Sequence, residues 1–174
     1  MKTKEEIRRE VKARMREPYL SLEPSREALN AIFTSKEWES AHDILLYSSL
    51  DDECNTEKII REAQSCRKRV ILPVVDGEIL RLFVYGGNMK RGAFGIAEPA
   101  DGAEEIKDYS SINLAIIPGR AFTADGWRLG RGKGYYDRLL PSLHCPAWGL
   151  ALPRQIFDRL PVDPWDVRLD RVIY

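Results

Sequence analysis

Residues 43–75 read DILLYSSLDDECNTEKIIREAQSCRKRVILPVV, and their periodicity decides the fold. Residues 43–48 are a short continuous apolar run, as expected of a strand buried on both faces. Asn55 or Thr56 then caps a helix carrying Ile59, Ile60, Ala63 and Cys66 on one stripe, and residues 70–75 return to strand. This is one strand, helix, strand unit, and repetition of such units builds a layered α/β fold.

Downstream, Asp76-Gly77 turns the chain into residues 79–85 as an antiparallel hairpin arm, so the sheet is expected to be mixed. Residues 86–110 are rich in glycine and acid and read as a surface excursion. The core resumes at residues 114–117, a helix is expected from about Lys133 to Leu140, and residues 148–152 and 171–174 close the sheet. Upstream, Thr3 with Glu6 forms a capping box for a helix carrying Ile7, Val11 and Met15 to about Glu17. A second helix spans residues 25–33, and Thr34 with Glu37 opens a short third one ending near Ala41.

With 174 residues, 44% apolar and 31% charged, the chain is sized for a single domain, 1–174, with its own core. Lys plus Arg and Asp plus Glu are both 27, so composition gives no support to nucleic-acid binding, and no apolar run is long enough for a membrane span. A mixed-charge start without an apolar segment points to the cytoplasm. Cys54, Cys66 and Cys145 show no CxxC spacing, which argues against zinc or a disulfide framework and for packing thiols.

The chemistry concentrates in residues 121–138, AFTADGWRLGRGKGYYDR, which follow a buried strand and precede a helix, where open α/β sheets bind ligands. Gly130, Gly132 and Gly134 alternate with Arg131 and Lys133, so backbone and cations could both approach an oligophosphate. The same composition also suits a flexible surface turn, and neither a Walker A loop nor GxGxxG is present. Asp137 beside these cations suits the magnesium that accompanies ATP, or else pairs with Arg138 or caps a helix. Lys4, Arg8 and Lys12 share a face that is either solvated or an anion site.

The pattern Arg-Leu-Gly-x-Gly-x-Gly-Tyr-Tyr-Asp, Arg128 to Asp137, resembles the 5-formyltetrahydrofolate cyclo-ligase family, also called methenyltetrahydrofolate synthetases. Residues 4–8, 52–56, 92–99, 117–119 and 162–166 agree with it in order, so the resemblance covers nearly the whole chain. It implies a three-layer α/β/α fold with a mixed, largely parallel sheet, similar to the ribose-phosphate isomerase and CoA-transferase group. It also implies conversion of 5-formyltetrahydrofolate and ATP to 5,10-methenyltetrahydrofolate, ADP and phosphate, through phosphorylation of the formyl oxygen and ring closure.

By matching positions, ATP is expected against Lys4, Glu5, Glu6, Ile7 and Arg8 and against Arg128, Leu129, Gly130, Arg131, Gly132, Lys133, Gly134, Tyr135 and Tyr136. Among these Arg131, Lys133 and Tyr136 are the catalytic candidates, while Asp137 and Asp166 are candidates for Mg2+. Folate is expected at Glu53, whose carboxylate can accept two hydrogen bonds from an amino-pyrimidine edge, with Ser48, Phe94 and Tyr135 as further contacts and Ser49 as a weaker one. Arg120 and Thr123 depart from the family pattern, and a surface position is expected for Arg120. The partners implied are the two small molecules, with no nucleic acid and no membrane, acting on a monomer. The alternatives are a catalytically silent nucleotide- or RNA-binding relative, which has little use for Glu53, Asp137 and Asp166, and a sugar-phosphate isomerase working without ATP.

Overall fold

The computed structural model of the chain describes residues 2–16, 20–86, 89–92 and 97–174. The helices are α1 (Lys4–Arg14), α2 (Arg26–Phe33), α3 (Lys36–Ser40), α4 (Glu57–Ser65) and α5 (Tyr135–Leu139). The strands of the main sheet are β1 (Asp43–Leu45), β2 (Arg69–Asp76), β3 (Ile79–Val84), β6 (Glu105–Ile106), β7 (Leu114–Ile117), β10 (Ala147–Leu150) and β11 (Arg171–Ile173). Two small ribbons pair β4 (Met89–Arg91) with β5 (Ala97–Pro99), and β8 (Ala121–Phe122) with β9 (Arg128–Leu129).

The sheet has seven strands in the order β11-β10-β7-β1-β2-β3-β6. From β11 to β2 every pairing is parallel, and β3 and β6 add an antiparallel edge. The continuous apolar runs are explained by the layers on both sides. Ile44 and Leu46, Val70 and Leu72, and Leu114 and Ile116 face a core shared with α1 to α4. Their alternates Leu45, Ile71, Ala115 and Ile117 face a second core with Leu139, Leu140 and Leu143. Each fully buried Leu or Ile contributes about 1.5–3 kcal/mol, so both layers are needed to hold the central strands. The fold is the expected three-layer α/β/α arrangement, with one layer thin.

At β1 the chain order reverses: β2 lies to one side and β7, reached much later, to the other. Loops leaving β1 and β7 therefore diverge at their carboxyl ends and open a crevice between them, the topological switch point of an open α/β sheet.

Several local expectations are corrected. Ser35, not Thr34, caps α3: its Oγ accepts from Trp38 N–H, while the Thr34 hydroxyl turns back to Asn30 O. Thr56 sits at the start of α4, but its hydroxyl donates inward to Tyr47 O, so Asn55 Oδ1 takes the Glu57 N–H. Cys66 ends α4 and is exposed, because the helix stops before the stripe can bury it, whereas Cys54 is buried and its thiol is pushed up to about 12 by burial. The 86–110 segment is more than an excursion, since β6 completes the sheet edge and Glu98 is buried. The last helix is shorter than expected because Gly134, at φ +69°, starts it and Pro141 turns the chain into a 3-10 segment, Leu140–Ser142.

Candidate functional site

The crevice at the switch point is a cleft of about 540 Å³. Tyr47, Ser48 and residues 50–53 after β1 line one side, Pro118 and Gly119 after β7 another, and Pro73, Val75 and Leu80 from the β2–β3 hairpin supply an apolar wall. A second pocket of about 490 Å³ lies beyond it, between α1 and the C-terminal segment, with Lys4, Arg8, Asp163, Trp165 and Asp166 in its walls. Arg128, Gly130, Lys133, Gly134 and Asp137 line both. The glycine-rich loop is thus a partition with a different chemical environment on each face.

The partition is thin because of its glycines. Gly132 has φ +97° and Gly134 φ +69°, backbone that L side chains rarely adopt, and a Cβ on Gly130 would lie 2.9 Å from Arg128 Nη1. Arg128 is the buried strut: its side chain is 3% exposed, Nη2 donates to Asp137 Oδ1 at 2.7 Å, and its guanidinium lies 5.5 Å from the centre of the Tyr136 ring. Its Nε has no hydrogen-bond partner among the described residues. Asp137 therefore pairs with Arg128 rather than Arg138, and Gly134, not Asp137, takes the N-cap position of α5.

On the first cleft's floor Glu53 is buried, its Oε2 accepting from Leu50 N–H at 3.1 Å and its Oε1 from Arg131 Nε at 3.1 Å. Arg131 also ion-pairs with Asp52, which in turn holds Arg120. Burial would raise the Asp52 carboxyl, but Arg131, then Arg120, outweighs it and holds the group below the usual carboxylate range. Arg120 is consequently not a surface residue, with its side chain 12% exposed, because Asp52 draws it inward. Thr123 is buried, and its Oγ1 accepts from Trp127 N–H to close the turn between β8 and β9. Burial, with the Glu53 charge adding to it, pushes the Tyr136 phenol far above its ordinary value, so the phenol keeps its proton.

On the second face Lys4 bridges Asp163 at 2.7 Å and Asp166 at 2.5 Å, two charges that outweigh its partial burial and raise its pKa. Arg8 Nε donates to Gly130 O at 2.9 Å, docking α1 onto the glycine loop. Of the residues matched to ATP, Lys4, Arg8, Leu129, Gly132 and the shared-wall members meet in this pocket. Ile7 points into the core, Glu6 closes the capping box with Thr3, and Glu5 is exposed outside both pockets. Arg131, Tyr135 and Tyr136 line the first cleft instead. Ser48 lines that cleft, Ser49 is not among its walls, and Phe94 lies outside the described residues.

This arrangement has known counterparts. The chain matches the 5-formyltetrahydrofolate cyclo-ligase family over residues 1–174. It belongs to that family. A 5-formyltetrahydrofolate cyclo-ligase of Haemophilus influenzae is 32% identical over 153 residues, which are 83% of this chain and 80% of that protein. The solved 5,10-methenyltetrahydrofolate synthetase of Aquifex aeolicus superposes with a TM-score of 0.82 at 32% identity, covering 98% of this chain and 88% of the other. That of Mycoplasma pneumoniae gives 0.74 at 26% identity, covering 98% and 97%.

Sequence reasoning missed Asp52 and Trp165 as wall residues and Arg120 as the cation that holds Asp52. Asp52 stands next to Glu53 and Arg120 breaks the family pattern, both usable signals, whereas nothing local marks Trp165 as exposed.

Proposed function

We infer that this chain is a 5-formyltetrahydrofolate cyclo-ligase that makes 5,10-methenyltetrahydrofolate, ADP and phosphate from 5-formyltetrahydrofolate and ATP. The observation that carries the mechanism is the shared wall: a cationic pocket and an acidic, apolar-walled cleft meet at Arg128, Gly130, Lys133, Gly134 and Asp137. ATP in the cationic pocket presents its γ-phosphoryl group to the partition, and folate in the cleft presents its formyl oxygen from the other side. Phosphoryl transfer depends on positioning and neutralisation of charge more than on a protein nucleophile, and Arg128 and Lys133 provide that charge from the wall. Phosphorylation makes the formyl oxygen a good leaving group, and N10 of the folate then closes the ring. Glu53 anchors the pterin edge, and Tyr136 donates toward the reacting oxygen.

Asp137 and Asp166 both line the ATP pocket and each has one carboxylate oxygen committed, to Arg128 and to Lys4 respectively. Two carboxylates in that pocket suit magnesium held by one or two protein oxygens plus substrate phosphates; among the described residues no group of three or more His, Cys, Asp or Glu side chains is placed to hold a metal ion. Bound there, the ion would neutralise phosphate charge. The enzyme acts on these two small molecules as a cytoplasmic monomer. No helix among the described residues is long and apolar enough to cross a membrane.

The direct test is the absorbance of the methenyl product with and without MgATP: strict nucleotide dependence is expected, and turnover without nucleotide sinks the reading. A second test uses Trp165, which is 69% exposed at the rim of the ATP pocket and is suited to stack on the base. MgATP should quench its fluorescence while inorganic triphosphate does not, and Trp165→Ala should raise the ATP KM about tenfold, as expected for loss of one stacked base. Equal quenching by triphosphate would place the base elsewhere.

A further inference from the structure

Five carboxylates line the folate cleft: Asp51, Asp52, Glu53, Glu98 and Asp137. Asp52 and Glu53 are engaged by arginines, Asp137 by Arg128, and Asp51 is exposed to water. Glu98 is different. It sits on β5, is 5% exposed, and has no cation or N–H donor among the described residues. Gly92 makes room for it, since a Cβ there would fall 1.9 Å from Glu98 Cδ. An otherwise buried acid whose carboxylate meets only the open cleft is a group that can take a donor from the ligand.

The reaction has such a donor. When N10, a secondary amine, attacks the activated formyl carbon, it becomes a charged ammonium, and its proton must leave before the N10 lone pair can help expel phosphate and form the cationic methenyl bridge. The cleft walls contain no histidine, Lys133 is a cation, and Tyr136 stays protonated. We propose that Glu98 is the general base of ring closure and takes the proton from N10. This rests on the cyclo-ligase reading. The N10–C bond forms with the N10 lone pair, and the N–H pair remains on nitrogen as the proton moves to the Glu98 carboxylate. The C–O bond then breaks, and phosphate departs with that electron pair and takes the proton on, returning Glu98 to its ionised form.

The test separates the two chemical steps. In single turnovers ADP is followed by rapid quench and the methenyl product by absorbance, for wild type, Glu98→Gln and Glu98→Asp. Glu98→Gln is expected to form ADP at the wild-type rate while methenyl formation slows about 100- to 1000-fold. The acid limb of its pH–rate profile should disappear. Glu98→Asp keeps the charge with a shorter reach and should fall between the two. Wild-type methenyl formation by Glu98→Gln overturns the proposal, and so does an equal loss of ADP and methenyl, which marks a binding or scaffold role. If thermal melting shows Glu98→Gln unfolded, Glu98→Asp decides: methenyl slower than ADP supports the assignment, and equal rates overturn it. Absence of methenyl product from the wild type defeats the cyclo-ligase reading and this assignment with it, whereas a normal wild type beside a normal Glu98→Gln defeats the assignment alone.

Discussion

Lys133→Ala is expected to lower kcat about 100- to 1000-fold at saturating substrates, with an unchanged melting temperature, because a preorganised charge is removed from the partition without touching the core. Lys133 is exposed, lines both pockets and makes no side-chain hydrogen bond or ion pair among the described residues. Its ammonium group is therefore available to an anion in either pocket, as the proposed phosphoryl transfer requires. Arg131 stands two residues away with the same formal charge, yet it is held by Asp52 and Glu53 in the first cleft. Burial works against its charge, and the two carboxylates outweigh that and raise its pKa. Arg131→Ala should accordingly raise the folate KM by releasing Glu53, with a smaller effect on kcat. Initial rates over a grid of both substrates distinguish the two. A wild-type kcat for Lys133→Ala would return that residue to the role of a solvated loop side chain.

The contrast between Arg131 and Lys133 shows where reading the sequence stops. Both are cations between glycines in one loop, and the resemblance treats them alike as catalytic. What separates them is an ion pair between residues 131 and 52, brought together only because the loops after β1 and β7 leave neighbouring parallel strands at the switch point. Strand adjacency of that kind follows from the order β7-β1-β2, which no local periodicity encodes. The same holds for Arg120, whose departure from the family pattern is visible in the chain but whose burial against Asp52 is not.

The central strands were legible because each is a continuous apolar run covered on both faces, and the capping box at Thr3 because it is local chemistry. The ribbon of β8 and β9 was not, since two-residue strands are too short to show a period and this one is fixed by Thr123 closing its turn. Nor was the burial of Glu98, in a segment whose acids suggested solvent. A charged residue reads as exposed unless something reports the pocket around it, and here that something is the bare Gly92 backbone six residues earlier.

Asp137→Asn is expected to destabilise the protein by about 3–5 kcal/mol, the usual result of stripping one partner from a buried ion pair. For a chain of this length that corresponds to a fall in melting temperature of roughly 6–20 °C. The reason is Arg128: it is almost fully buried, its Nη1 reaches only Pro118 O at 3.3 Å, and Asp137 is its sole ion-pair partner among the described residues. Asparagine keeps the shape but leaves the guanidinium uncompensated. Asp166→Asn should behave differently, because Lys4 retains Asp163 at 2.7 Å, so its melting temperature should change little and its magnesium dependence can be read cleanly. A pair of substitutions isolates structure from chemistry: Arg128→Met with Asp137→Leu replaces both charges by apolar groups and should recover most of the lost stability without recovering activity. Recovery of both would show that the pair only props up the partition. A melting temperature for Asp137→Asn equal to wild type would show that this ion pair does not hold the wall at all.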